Sequence, residues 1–177
     1  MSSLDVKRIF PESLAMDRVD DILAQWNRER PDLDVAPMGL IGRLNRISHH
    51  LGREMEKTFA AHGLNYASFD VLATLRRSGP PYALSPGDLS ATMMITSGTM
   101  TNRVDQLEKA GMVERRLNPD DRRSFIVSLT EKGFATIDAA VTDHAATQTR
   151  IVEMMTMEER AALNVLLSKF LVGFESA

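Results

Sequence analysis

In a chain otherwise patterned for helices, two strand-length runs, Met112 to Leu117 and Ser124 to Leu129, flank Asn118-Pro119-Asp120-Asp121. Asn, Pro and Asp set the backbone in bends through short polar side chains or a fixed ring, so the segment predicts a β-hairpin. An isolated two-stranded hairpin is at best marginal in water and needs a body to lie on. The preceding sequence is punctuated to supply one. Ser85-Pro86-Gly87-Asp88 offers a Ser N-cap, a Pro at the first helical position and an acid in the first turn, and opens a short helix ending near Thr92. Residues 93–95 form a turn, Thr96 caps a further helix to Ala110, and Gly111 closes it. Short helix, turn, helix and hairpin is the order of a winged helix-turn-helix.

The flanks are helical. A first helix is expected over 14–30, with Leu14, Val19, Ile22, Leu23 and Trp26 as apolar positions, stopping before Pro31. A long amphipathic helix follows across 37–63, with Met38, Ile41, Leu44, Ile47, Leu51, Met55 and Phe59 spaced by three or four and Gly63 as its stop. Asn65 opens the next helix, which carries Phe69, Leu72 and Leu75 to the breaker Gly79-Pro80-Pro81. After the hairpin, 134–174 reads as two helices broken near Thr156. The class is therefore α+β, mainly α-helical: a single winged helix-turn-helix domain over 1–177, with a DNA-binding lobe at 65–130 and a wing at 112–130. The apolar stripes of 38–59 and 151–171 exceed what one small domain can cover, and predict that 37–63 and 134–174 pair two copies as a homodimer.

Composition narrows the chemistry. The chain has no cysteine, which removes disulfides, thiolate metal sites and cysteine-based sensing. His49, His50, His62 and His144 lack the partners a metal site needs, and the 11 methionines fall mostly at apolar helical positions. No glycine-rich phosphate loop, nucleophile elbow or paired metal-ligand motif is present, so neither an enzyme nor a cofactor is expected. No apolar run approaches a membrane span, and Met1 to Phe10 lacks the layout of a signal peptide, so a cytoplasmic location is expected. Net charge is −3; a nucleic-acid surface must be a local basic patch.

Two segments offer such a surface. The helix from Thr96 buries Met100, Val104 and Leu107 and leaves Ser97, Thr99, Thr101, Asn102 and Arg103 on its other side. Short polar groups of that kind reach base edges while a helix N-terminus meets phosphate. The same face fits an ordinary amphipathic helix with a Ser/Thr-rich start. The hairpin decides between them, since Arg115, Arg116, Arg122 and Arg123 outnumber Asp120 and Asp121 in a net-acidic chain. Arginine at a hairpin tip suits the negative potential of a narrow minor groove, and Asp121, two residues before Arg123, is placed to orient its guanidinium. The DNA-facing set is thus Ser97, Thr99, Thr101, Asn102, Arg103, Arg116, Asp121, Arg122 and Arg123.

Gly111-Met-Val-Glu-Arg-Arg116, Asn118-Pro-Asp-Asp-Arg-Arg123 and Leu129-Thr-Glu-Lys-Gly133 resemble the signature of the MarR family of regulators, as does Met100-Thr-Asn-Arg-Val-Asp-Gln-Leu-Glu108. The resemblance covers Pro37 to the C-terminus, with Asn118 where Asp is more usual. It implies a homodimer with intertwined terminal helices, each subunit offering one winged helix-turn-helix to a half-site of a palindromic duplex. The extension Gln25-Trp-Asn-Arg-Glu-Arg-Pro-Asp-Leu-Asp34 is similar to the urate-responsive, PecS-like branch. That resemblance implies a ligand quartet of Trp26, Asp70, Arg103 and Arg115. An indole stacks on planar rings, a guanidinium forks onto an oxyanion, and an Asp holding Arg103 in the empty site would be repelled by an anion. The expected function is a ligand-responsive regulator, a repressor released from its operator by a small planar anion such as urate or a related purine. Alternatives are a response to an aromatic carboxylate or phenol, or a winged helix that binds protein instead of DNA.

Overall fold

The computed structural model describes residues 16–119, 121 and 123–176. Leu14 of the expected first helix, and Asp120 and Arg122 of the wing tip, lie outside them. The elements are α1 (Arg18–Glu29), α2 (Ala36–Ala61), α3 (Tyr66–Arg77), β1 (Ala83–Leu84), α4 (Pro86–Thr92), α5 (Ser97–Lys109), β2 (Val113–Leu117), β3 (Phe125–Leu129), α6 (Glu131–Val152) and α7 (Met157–Glu175). They fall into two compact units, Met1–Leu51 with Ile151–Ala177, and Gly52–Arg150.

In the first unit, α1 starts later than the apolar pattern suggests. Asp17 caps it, accepting from the Val19 amide at 2.7 Å, while Asp20 reaches back to the Asp17 amide at 2.9 Å. That reciprocal box satisfies amide donors that a helix start leaves without intrahelical partners. Arg43 of α2 then ties α1 down by ion pairs to Asp17 and Asp20. Gly39 allows the approach, since a Cβ there would stand 2.9 Å from Leu23 Cδ1. Val19 is buried, whereas Ile41, Ile47 and Leu51 of α2 remain exposed. Thr156 caps α7 with Glu159 completing the box. No described residue of α7 is buried: Leu163, Leu166, Phe170 and Phe174 all stand open within one chain.

The second unit holds the core, with Phe59, Leu72, Leu75, Leu89, Val127 and Ile137 among its fully covered side chains. Local chemistry places its elements. Asn65, Ser85 and Thr96 each accept a backbone N–H from their first turn, and Gly63 and Gly111 sit at φ +68°, where a Cβ would be strained. The sheet is antiparallel in the order β1-β3-β2, with Val113 opposite Leu129, Arg115 opposite Val127 and Leu117 opposite Phe125. The third strand, β1, was not expected. Its two residues are strand only because β3 pairs with them. Arg76 helps pin that segment, lying 5.2 Å from the Tyr82 ring and 4.6 Å from the Phe134 ring while pairing with Asp138 at 2.9 Å.

Two features position α5 and the hairpin on this body. Thr130 donates to the Gly111 carbonyl at 2.8 Å and Lys132 to the Ala110 carbonyl at 2.7 Å, so the start of α6 covers the open carbonyls at the end of α5. A Cβ on Gly133 would stand 1.8 Å from the Met112 carbonyl oxygen. Farther along, α2 and His62 just past its end are joined to α6 by three polar rungs: Glu54 with Arg150 at 2.7 Å, Thr58 with Thr147 at 2.9 Å, and His62 with Asp143 at 2.8 Å. Hydrogen bonds from Lys57 and then Arg150 pull the Glu54 carboxyl down to about 2.

Candidate nucleic-acid interface

α5 is the second helix of the helix-turn-helix. Its core side is Met100, Val104 and Leu107, all buried. Ser97, Thr99, Thr101 and Asn102 are exposed, and Arg103 is half-buried. The Thr96 hydroxyl accepts from the Thr99 amide at 3.3 Å, Thr101 donates back to the Ser97 carbonyl at 3.0 Å, and the Gln106 amide donates to Asn102 at 3.4 Å. These bonds fix the helix start and hold the polar side chains in defined orientations. Before it, α4 and the turn through Met94 (φ +51°) complete the helix-turn-helix.

The wing differs in detail from the sequence expectation. The Asp121 carboxylate accepts from the backbone amide of Arg123 at 3.0 Å, not from its guanidinium. Two-residue spacing in a tight turn brings a short carboxylate to the amide, as an Asx turn does. That bond ties the Asp121 side chain to the Arg123 backbone, and no described residue pairs with the Arg123 guanidinium. Arg116 pairs with Glu114 on its own strand. Arg122 lies outside the described residues.

Arg115 is the larger surprise. It turns away from the wing tip onto α5, pairing with Asp105 through one guanidinium nitrogen and with Glu108 through another. The Arg115 amide also donates to Glu108 at 3.3 Å. The hydrogen bond to Asp105, with the charges of both acids, makes Arg115 hold its proton more tightly than an ordinary arginine, against a smaller opposing effect of burial. The excess of arginine at the hairpin is therefore partly neutralised within the protein. Asp105 and Glu108 were not singled out from sequence.

Of the expected ligand quartet, Asp70, Arg103 and Arg115 lie in the second unit and Trp26 in the first. Asp70 is half-buried on α3, which packs against α5. No ion pair joins Asp70 to Arg103 among the described residues, so the expected holding contact is not made. Arg103 leaves α5 on the flank opposite the acids that hold Arg115, roughly 140–160° around the helix. Trp26 is 43% exposed, an indole left open on α1. Among the described residues no cluster of His, Asp or Glu could hold a metal, and no helix is long and apolar enough to cross a membrane.

Known proteins share this arrangement. A model of the MarR family matches residues 62–124, from just past α2 to the turn between β2 and β3. The HTH-type transcriptional regulator PecS of Dickeya dadantii is 44% identical over 151 residues, covering 85% of this chain and 91% of that one. The structure of a mutant MarR from E. coli complexed with operator DNA is similar at a TM-score of 0.65 and 26% identity, covering 82% of this chain and 97% of that one. BpsR of Bordetella bronchiseptica, whose structure is described as a mechanism for regulation of its DNA binding by 6-hydroxynicotinic acid, is similar at a TM-score of 0.62 and 26% identity, covering 73% of this chain and 90% of that one. The exposed hydroxyl and amide face of α5, the wing beside it and the extent of these matches lead to one conclusion: the chain belongs to the MarR family and is a PecS-like, DNA-binding transcriptional regulator, not an enzyme.

Proposed function

We propose that the chain is a cytoplasmic, homodimeric repressor that holds a palindromic operator and releases it when a small planar anion binds. In this reading Ser97, Thr99, Thr101, Asn102 and Arg103 face base edges and phosphate in the major groove. Arg123, with Arg122 and Arg116, faces the minor groove and backbone, and Asp121 shapes the tip. The exposed apolar side of α7 supports a second copy as its cover.

The ligand half of the reading rests on Trp26. Tryptophan is mostly covered on average, yet Trp26, the one tryptophan, stands 43% exposed within a single chain. It offers a stacking face, while Arg103 and Arg115 offer guanidinium groups to an oxyanion and Asp70 a negative charge for the anion to repel. Urate or a related purine fits that set. A heteroaromatic carboxylate is the second reading, favoured by the likeness to BpsR and the compound named for it.

Calorimetric titration of the full chain with urate, xanthine and 6-hydroxynicotinic acid, followed in parallel by Trp26 emission, tests this. Binding of one of them with quenching and loss of operator affinity is the expected result, and Trp26→Phe should weaken that binding while sparing DNA affinity. Flat emission and no binding below about millimolar, an affinity worth only ~4 kcal/mol, would remove the quartet from ligand binding.

A further inference from the structure

We infer that Arg115 is a positioning residue for DNA recognition, acting as a clamp between the recognition helix and the wing, and that an inducing anion works by opening it. Asp105 and Glu108 lie on successive turns of α5, and Arg115 bridges both from β2 while its own backbone amide bonds Glu108. A guanidinium that forks across two carboxylates on one helix fixes both the distance and the rotation of that helix relative to the strand that carries it. The recognition face and the wing must reach major and minor grooves of one duplex at once, so their mutual angle is what this joint controls. Arg115 is only 30% exposed and is satisfied within the protein, which makes it a poor phosphate contact.

The second half of the inference rests on the ligand reading above. The two acids carry one more negative charge than Arg115 neutralises. An oxyanion engaging Arg115 therefore competes with Asp105 and Glu108, and success leaves two repelling carboxylates on the end of α5. That loosens the helix from the wing and lowers affinity for DNA without any movement of Asp70.

The sign of one substitution separates this from simpler roles. Asp105→Asn with Glu108→Gln removes two negative charges from a DNA-binding helix, so electrostatics alone would tighten DNA binding. The clamp requires the opposite. With the full-length dimer and a palindromic duplex selected by the wild-type protein, the double variant should bind about tenfold more weakly, a loss of the size expected for coupled neighbours. Arg115→Gln should bind equally weakly, the triple variant no worse than either, and the salt slope should be unchanged. Arg115→Lys, which cannot bridge both acids, should rescue little. Thermal unfolding monitors the fold, and because the double variant keeps Arg115 in place, it carries the test if Arg115→Gln fails to fold. Tighter DNA binding by the double variant, or a salt slope reduced by about one in Arg115→Gln, as for a lost phosphate contact, would overturn the clamp. Urate should bind the double variant more tightly than wild type, since its competitors are gone. Equal urate binding overturns the competition alone, whereas no urate binding by either protein overturns urate as the ligand and leaves the DNA measurement to decide the clamp.

Discussion

The imidazole of His144 on α6 stacks on the ring of Phe59 on α2, with centroids 5.4 Å apart and planes 28° from parallel. Phe69 closes the same cluster at 5.0 Å. The Gln148 amide nitrogen stands 3.0 Å from His144 Nε2, so Nε2 accepts and the ring is neutral. Burial among these groups pushes the His144 pKa below its ordinary value of 6.5. The unfolded chain therefore takes this proton first as pH falls, and the folded state loses ground below about 6.5. Glu54, held near 2, stays ionised throughout that range and does not contribute. Stability by urea unfolding should fall from about pH 7.5 to about 5.5, and His144→Phe, which keeps the stack, should flatten the fall. An unchanged slope in the variant would place the titration elsewhere.

Arg123 carries the wing-tip reading. Arg123→Ala should weaken operator binding by on the order of 1–3 kcal/mol, with the salt slope reduced and the unfolding midpoint unchanged. Gel shifts at two salt concentrations measure both quantities. Full affinity would take the wing tip out of the contact with DNA.

Gly133 has no room for a side chain. With the Met112 carbonyl oxygen 1.8 Å from where a Cβ would sit, Gly133→Ala must push two backbone segments apart. The cost should reach about 2–3 kcal/mol, at the upper end of overpacking effects, read as a lowered midpoint in chemical denaturation. Operator affinity should fall with it, because the displaced carbonyl lies just past the end of α5.

Assembly follows from α7. The chain should scatter light as a dimer at about micromolar concentration, with operator half-sites about 10 bp apart. Phe170→Glu, placing a charge on the exposed face with Leu166 and Phe174, should shift the protein toward monomer and abolish cooperative binding to the paired half-sites. A wild-type monomer would sink the homodimer reading.

The helix-turn-helix and wing were legible in the sequence because their boundaries are written in local chemistry. Ser85 and Thr96 cap their helices, Gly63 and Gly111 take the positive φ that ends two others, and the strands β2 and β3 stand on either side of the Asn-Pro-Asp-Asp sequence. Contacts set by distant partners were not legible. Ala83 and Leu84 have no strand pattern of their own and owe their conformation to β3. The direction of Arg115 depends on carboxylates seven and ten residues back, beyond a helix end, and nothing in the spacing says that strand and helix will face each other. For the same reason Asp121 was expected on a guanidinium and is found on a backbone amide.

The three rungs between α2 and α6 each use different chemistry: carboxylate with guanidinium, hydroxyl with hydroxyl, imidazole with carboxylate. Such a series has one register. Sliding α2 by a single turn would set Glu54 against Thr147 and Thr58 against Asp143, losing both the carboxylate–guanidinium pair and the imidazole–carboxylate bond. A uniform seam of leucines would tolerate that slip, whereas this one works as a keyed coupling. Any signal passing along these two helices must then travel as bending or rolling of the pair, never as one helix ratcheting past the other.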